Sequence, residues 1–457
     1  MPTHPHVISA VKKELYDWHL WTGRGVVIAF AAISGSTIVA FTWLTEHATA
    51  QFFQVQRLHW WVPLLWTPAC TAAIVWATLR FAPGAAGSGI PQVMAALEPR
   101  AHGPFRQWFV SLRLSLAKMA LTAWGLLAGL SLGREGPSVQ IAAGIMCQAR
   151  RLMPKRSRVS EHSLLIAGGA AGIAAAFNTP LGGIIFAIEE LTRKPEQRSN
   201  GLMLAAIVFG GMMAVSANGN ATYFGIIRVE KFGSALIVPG LLVVLCAGLA
   251  GGLFSRLLLV SLAGRSLDWF SALRRRAPLK FAAACGLGVA ILGVVSHGEI
   301  YGSGYAHTRA MIDNKGEMFS LFVLFKFIAT WLTTWSGVPA GIFAPSLAIG
   351  GALGNDIAQI THYPNAPTLI ALGMAGFLAA VTQAPLTSFI IVMEMVDGHA
   401  LVLSLMTSAA VASGISRLLS TPLYPSLATM QLERLPEADA QKNGAPKGSE
   451  LAQSYRP

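Results

Sequence analysis

Residues 162–188 read HSLLIAGGAAGIAAAFNTPLGGIIFAI, twenty-seven positions without an Asp, Glu, Lys or Arg. A helix needs about 20 apolar residues to cross the ~30 Å hydrocarbon core of a bilayer, so the stretch is long enough to span. Asn178, Thr179 and Pro180 interrupt it. A broken helix at membrane depth is tolerated only where the freed backbone is buried in protein or lines a polar cavity. Working outward, further charge-free runs lie at 25–45, 58–79, 199–227, 232–255, 281–298, 327–355, 357–393 and 398–416. They are continuously apolar, whereas a transmembrane β-barrel alternates over ~10-residue segments. The chain therefore reads as an all-α polytopic membrane protein with many broken helices, as in transporters built from half-helices.

Composition agrees. Of 457 residues, 53% are hydrophobic and 12% charged, against about 25% charged in a typical soluble domain. Mean hydropathy is +0.54. Lys and Arg number 34 against 21 Asp and Glu, a net charge of +13. In a soluble chain that excess suggests nucleic acid, but here the positives are clustered. Arg150, Arg151, Lys155, Arg156 and Arg158 form one group; Arg193, Lys194 and Arg198 a second; Arg274, Arg275, Arg276 and Lys280 a third. Short Lys/Arg-rich loops stay on the cytoplasmic side, so these three set topology and no nucleic-acid partner is needed. Lys12 and Lys13 place the N-terminus inside as well. Residues 1–24 are polar, without the apolar core and cleavage site of a signal peptide. A membrane part over 25–430 and a short cytoplasmic tail over 431–457 complete the division. Cys70, Cys147, Cys246 and Cys285 read as structural thiols buried in helices, with no CxxC pair.

The opening stretch repeats. At an offset of 205 residues, 167–191 aligns with 372–396, matching Gly168 to Gly373, Pro180 to Pro385, Leu181 to Leu386 and Glu189 to Glu394. At an offset of 208, GREGPSVQI (133–141) aligns with GIFAPSLAI (341–349). Two alignments in the same order imply repeated halves, about 26–200 and 234–430. Repeats of this kind place a substrate site at their interface, near the midplane, with the ends of interrupted helices pointing at it.

Three segments share one design. Gly87-Ser88-Gly89-Ile90-Pro91, Gly133-Arg134-Glu135-Gly136-Pro137 and Gly341-Ile342-Phe343-Ala344-Pro345 each set glycines before a proline and an apolar run. Proline favours the first helical turn, so all three predict helix N-termini within apolar spans. Such ends carry exposed N–H groups and partial positive charge, which suits an anion. Glu135 stands out, because an acid at membrane depth marks function by default. Its carboxylate at a helix N-terminus can occupy an anion site, and protonation would release it. The competing reading is an ion pair with Arg134.

The order GSGIP, GREGP, GIFAP and then Tyr424 in TPLYPSL, together with AAFNTPLGGIIFAIEE and the repeat, resembles the CLC family of chloride channels and proton-coupled chloride transporters. The resemblance covers about residues 25–430. It implies a CLC-type fold of two inverted-topology repeats and a homodimer with one pathway per subunit. By position, the hydroxyls of Ser88 and Tyr424 and the amides of Ile342 and Phe343 would bind chloride. Gly87, Gly89, Arg134 and Gly136 would support the anion pathway, and Glu135 would be the external gate and proton acceptor. Glu190 falls where transporters of the family keep an internal proton-transfer glutamate and channels usually have an apolar residue. H⁺/Cl⁻ antiport is therefore expected, with a passive chloride channel of the same fold as the alternative. Glu189 is the structural member of that acid pair, since its repeat partner Glu394 stands without a second acid. Lys118, 15 residues before Gly133, sits where the family often has a lysine whose field favours anions.

His297 and His307 flank the 301–304 loop and read as loop histidines. No HExxH, CxxC or GxxxxGK[ST] pattern occurs, so no metal, cofactor or ATP is expected. The nucleotide-binding CBS domains of the family's eukaryotic members are not expected after Tyr424, and nucleotide binding is not expected. The compact form resembles bacterial members and implies the inner membrane.

Overall fold

Prolines and small polar caps set where the helices begin. Pro63, Pro91, Pro180, Pro278, Pro367 and Pro385 each occupy a first turn, where the missing N–H leaves no bond unmade. Elsewhere Ser111, Ser160 and Asn365 accept from the amides of Leu114, Ser163 and Thr368, satisfying groups that a helix leaves unpaired.

The computed structural model describes residues 18–101, 105–154, 157, 159–192, 200–219, 222–227, 234–264, 269–313 and 320–433. Lys12, Lys13, Lys155, Arg156, Arg158, Arg193, Lys194, Arg198 and the tail beyond Glu433 lie outside the described residues. In chain order the helices are α1 (Trp18–Leu58), α2 (Val62–Phe81), α3 (Ile90–Leu97), α4 (Arg106–Phe109), α5 (Leu112–Leu127), α6 (Glu135–Met146), α7 (Ala149–Leu152), α8 (Glu161–Phe177), α9 (Pro180–Phe186) and α10 (Asn200–Asn218). The second series runs α11 (Ile237–Ala263), α12 (Trp269–Arg276), α13 (Pro278–Val295), α14 (Tyr305–Ile312), α15 (Phe322–Ser336), α16 (Phe343–Ile360), α17 (Ala366–Thr382), α18 (Pro385–Met395), α19 (Val402–Leu419) and α20 (Leu423–Leu432). Among the described residues the only extended pairing is an isolated antiparallel bridge between Gly133 and Gly341.

Six helical stretches, including Trp21–Leu58 and Ile237–Ala263, are long and apolar enough to cross a membrane. On α11 the outward face repeats every four residues, with Leu241, Leu245, Leu249 and Leu253 exposed. In water that stripe would be an unpartnered apolar face; in a bilayer it faces lipid. Cys246 lies exposed on the same helix, so it is not one of the buried thiols expected from the sequence. Arg150 and Arg151 sit on α7, Arg274–Arg276 on α12 and Lys280 on α13 rather than in loops.

The interior is built on close backbone approach. A Cβ on Gly350 would strike the Gly373 carbonyl, and one on Gly373 would strike the Gly350 carbonyl, so α16 and α17 pack backbone to backbone. In the first half, α6 and α8 do the same, with Gly168 against the Ala142 carbonyl and Gly172 against that of Ser138. Small residues permit this where lipid supplies no hydrophobic drive between helices. The repeat is visible residue by residue. Asn178 (φ 57°) ends α8 and Gln383 (φ 59°) ends α17, both left-handed, each followed two residues later by the proline that opens a short helix.

Candidate ion-binding site

The three glycine-proline segments meet. The Gly133 amide donates to the Gly341 carbonyl (2.7 Å) and the Gly341 amide to the Gly133 carbonyl (3.1 Å). The Gly87 amide donates to Val338 (3.2 Å), and the Ala340 amide to Gly87 (3.1 Å). A Cβ on Gly136 would collide with Ser88 Oγ, one on Gly89 with the Gly136 carbonyl, and one on Gly133 with the Glu135 carboxylate. A side chain at Gly89 or Gly136 would therefore push two segments apart, and one at Gly133 would displace the Glu135 carboxylate. Helices α3, α6 and α16 begin at this meeting point, as their sequences predict. Helix α20 packs on α3 and brings Tyr424 to the same place.

Ser88 and Tyr424 are buried, and their hydroxyls lie close enough to interact. Neither makes a well-formed hydrogen bond to a protein group among the described residues. Two buried hydroxyls in that condition ask for an acceptor. The Tyr424 ring stacks on Phe343 at 6.0 Å and 11°, and Ile342 and Phe343 are buried at the start of α16. Hydroxyl donors and helix-end amides are the groups that can hold a small anion without a full cationic charge. Binding of that kind is weak enough to release what it holds.

Glu135 is fully buried in the first turn of α6. Its carboxylate lies within reach of the Arg134, Glu135 and Ala344 amides, yet neither oxygen completes a hydrogen bond. The ion pair with Arg134 is not formed. Arg134 turns away, and its Nη1 donates to Glu46 Oε1 at 2.9 Å. Its Nη2 faces the Tyr223 hydroxyl at 3.4 Å. Arg134 lines a separate cavity of about 610 Å³ with Glu46, Tyr223, Tyr305 and His307. His307 belongs to the first turn of α14 and stacks on Phe322 at 4.0 Å, so it is helical rather than a loop residue.

Lys118 is fully buried, and its ammonium donates to the carbonyls of Ala85 (2.7 Å) and Gly87 (2.5 Å). It thus clamps the turn that presents Ser88, in addition to any field it exerts. Gln92 closes the same turn, accepting from the Gly89 amide (2.9 Å) and donating to the Ala86 carbonyl. The sequence reading passed over the counterpart of this clamp. Lys326, also fully buried, donates to Ile300 (2.8 Å) and Gly302 (2.7 Å). It stands 15 residues before Gly341 as Lys118 stands 15 before Gly133, which is the signal that could have found it.

The paired acids divide their work. Both lie in the π-helical turn Ala187–Thr192 that follows α9, a geometry often found at functional sites. The Glu189 carboxylate accepts from the amides of Leu386 (3.0 Å) and Thr387 (2.7 Å) at the start of α18. Glu394 returns the arrangement, accepting from Leu181 (3.1 Å) and Gly182 (2.7 Å) at the start of α9. Glu190 is buried, and Tyr424 lies within electrostatic reach of both Glu190 and Glu135.

A family model described as voltage gated chloride channel matches residues 70–417. The chain belongs to that family, the CLC proteins. Among its CLC relatives, an H(+)/Cl(-) exchange transporter ClcA of Klebsiella pneumoniae subsp. pneumoniae is 33% identical over 450 residues, 91% of each chain. The ClcA of Salmonella paratyphi A is 33% identical over 389 residues, 81% of this chain and 79% of the relative. The crystal structure of a slow cyanobacterial Cl⁻/H⁺ antiporter superposes with a TM-score of 0.79 at 26% identity, covering 90% of this chain and 98% of that one. A CLC-type fluoride/proton antiporter superposes at 0.72 and 22% identity, over 93% and 99%, and speaks to the fold alone. The broken, glycine-packed CLC fold read from the sequence is the fold observed.

Proposed function

We propose that this CLC protein is a secondary active H⁺/Cl⁻ antiporter, with one pathway in each subunit. The observation that carries the reading is a buried carboxyl, Glu135, at the converging helix N-termini, close to two buried hydroxyls, Ser88 and Tyr424, that make no well-formed hydrogen bond among the described residues. A second buried carboxyl, Glu190, lies within electrostatic reach of Tyr424. The names of the relatives, exchangers rather than channels, support the same reading.

The chemistry follows from competition. Ionised Glu135 presents an anion to the Arg134, Glu135 and Ala344 amides, the groups a chloride would use. Protonation removes the charge that holds it there, and chloride takes the place. One side chain then exchanges a proton for an anion. Chloride deeper in the protein rests on Ser88, Tyr424 and the Ile342 and Phe343 amides. Glu190 hands protons to and from the inner solution. Gly87, Gly89 and Gly136 keep the segments close, Lys118 holds the Ser88 turn, and Arg134, tied to Glu46, leaves Glu135 unpaired. Passive conduction would need no acid at 190.

The protein acts in the inner membrane as a homodimer with both termini cytoplasmic. Chloride and protons are its cargo. Purified protein in liposomes tests this. An imposed chloride gradient drives protons uphill, and chloride flux rises as pH falls because acid discharges the Glu135 gate. Glu135→Gln abolishes proton movement and flattens the pH dependence. Chloride flux without proton flux in the wild type would establish the channel instead.

A further inference from the structure

We propose that the face formed by α1, α5 and α7 holds an anionic phospholipid, with an acyl chain in the groove between these helices and the headgroup on Arg151. The inference goes beyond the antiporter reading and stands whether the protein exchanges ions or only conducts them.

A cavity of about 450 Å³ lies between α1, α5 and the junction of α6 and α7. Phe30, Ile33 and Thr37 supply its α1 wall, and Leu112, Leu116 and Met119 that of α5. Each row runs about 10 Å along its helix, so the cavity is an elongated groove. Ile33, Leu112, Leu116 and Leu152 are exposed, which opens it to the bilayer. The neutral polar side chains in the wall are already satisfied within the protein. The Ser115 hydroxyl bonds to the carbonyls of Ser111 (3.1 Å) and Ile141 (3.2 Å), Thr37 donates to Ile33 (2.8 Å), and the Gln148 amide donates to Gly144 (3.3 Å). The rest of the wall is hydrocarbon, which an acyl chain matches and water does not.

Arg151 is the exception, and it stands at one end. Helices α1 and α6 pass in opposite directions, with Val27 and Ala31 packed among Met146 and Ala149, and Ile38 and Phe41 among Ile141 and Ala142. Phe30 therefore lies toward the Arg151 end and Thr37 toward the apolar end. Short basic runs lie on the cytoplasmic side, so the Arg151 end meets the headgroups of the inner leaflet. Nearby cations are engaged elsewhere. Arg106 pairs with Glu161, and Arg150 Nη1 donates to the Val159 carbonyl (3.4 Å). Arg151 is exposed, and no carboxylate pairs with it among the described residues. A guanidinium closing the interfacial end of a groove between membrane helices suits an anionic headgroup. A soluble anion would make no use of the groove, and a neutral lipid none of the cation.

Native mass spectrometry of the full-length protein, delipidated in detergent and mixed with phosphatidylglycerol or phosphatidylcholine of matched chains, tests the site. Phosphatidylglycerol binds about fivefold more tightly than phosphatidylcholine. That preference disappears in Arg151→Gln and survives in Arg151→Lys. Ile33→Trp and Leu116→Trp fill the groove from its two walls and weaken binding of both lipids, while Leu249→Trp on the exposed face of α11 leaves it unchanged. Inorganic phosphate does not displace the bound lipid. The tryptophan variants decide the matter if Arg151→Gln fails to fold. A preference that persists in Arg151→Gln, displacement by phosphate alone, or binding untouched by both tryptophans would overturn the site. Tryptophan variants that change the subunit number and not the lipid would overturn it too, and would make the groove a contact with a second copy of the chain.

Discussion

Tyr424 shows how much one side chain decides. Its ring is fully buried and stacked on Phe343, lines a cavity of about 100 Å³ with Ser88 and Ile342, and lies within electrostatic reach of Glu135. Removing the ring enlarges that cavity beside the proposed gate. Tyr424→Ala is therefore expected to speed chloride flux and lower the protons moved per chloride. Tyr424→Phe keeps the stacking and keeps most of the coupling. Flux ratios in the same liposomes distinguish the two, and loss of coupling in Tyr424→Phe would assign the effect to the hydroxyl rather than the ring. Arg134 makes a related point, since its salt bridge to Glu46 leaves its sequence neighbour Glu135 unneutralised.

Among the elements, the short helices α9 and α18 are fastened to each other by exchanged carboxylates. Helix ends leave N–H groups unpaired, and an acid in that position also meets the favourable end of the helix dipole. Losing one such cap costs about 1–2 kcal/mol. Glu189→Ala and Glu394→Ala should each lower the thermal midpoint of the detergent-purified protein, with Glu189→Gln milder because its carbonyl still accepts. Transport separates the adjacent acids. Glu189→Gln retains proton movement, whereas Glu190→Gln loses it and continues to pass chloride. The reverse result would exchange their roles.

In the proposed homodimer each subunit carries its own Ser88, Glu135, Glu190, Ile342, Phe343 and Tyr424. Mixed reconstitution of wild type with Glu135→Gln is accordingly expected to give proton flux linear in the wild-type fraction. A curve bending below the line would show that one subunit's gate governs its partner. Much of this organisation was readable beforehand. Charge-free runs and Gly-Pro breaks are local properties of the chain, and they alone determined a polytopic helical membrane protein with helix N-termini at Ile90, Glu135 and Phe343. The matches at offsets 205 and 208 determined that it is built twice. What side chains meet across the fold was not readable, because a hydrogen bond depends on position in space and not on separation along the chain. Only the tertiary structure decided that Arg134 pairs with Glu46, 88 residues away, that Glu189 caps α18 while Glu190 is buried, and that Lys118 and Lys326 clamp equivalent turns. Each required desolvated polar groups to find partners brought near by helix packing, and the packing follows from the small residues of both halves together.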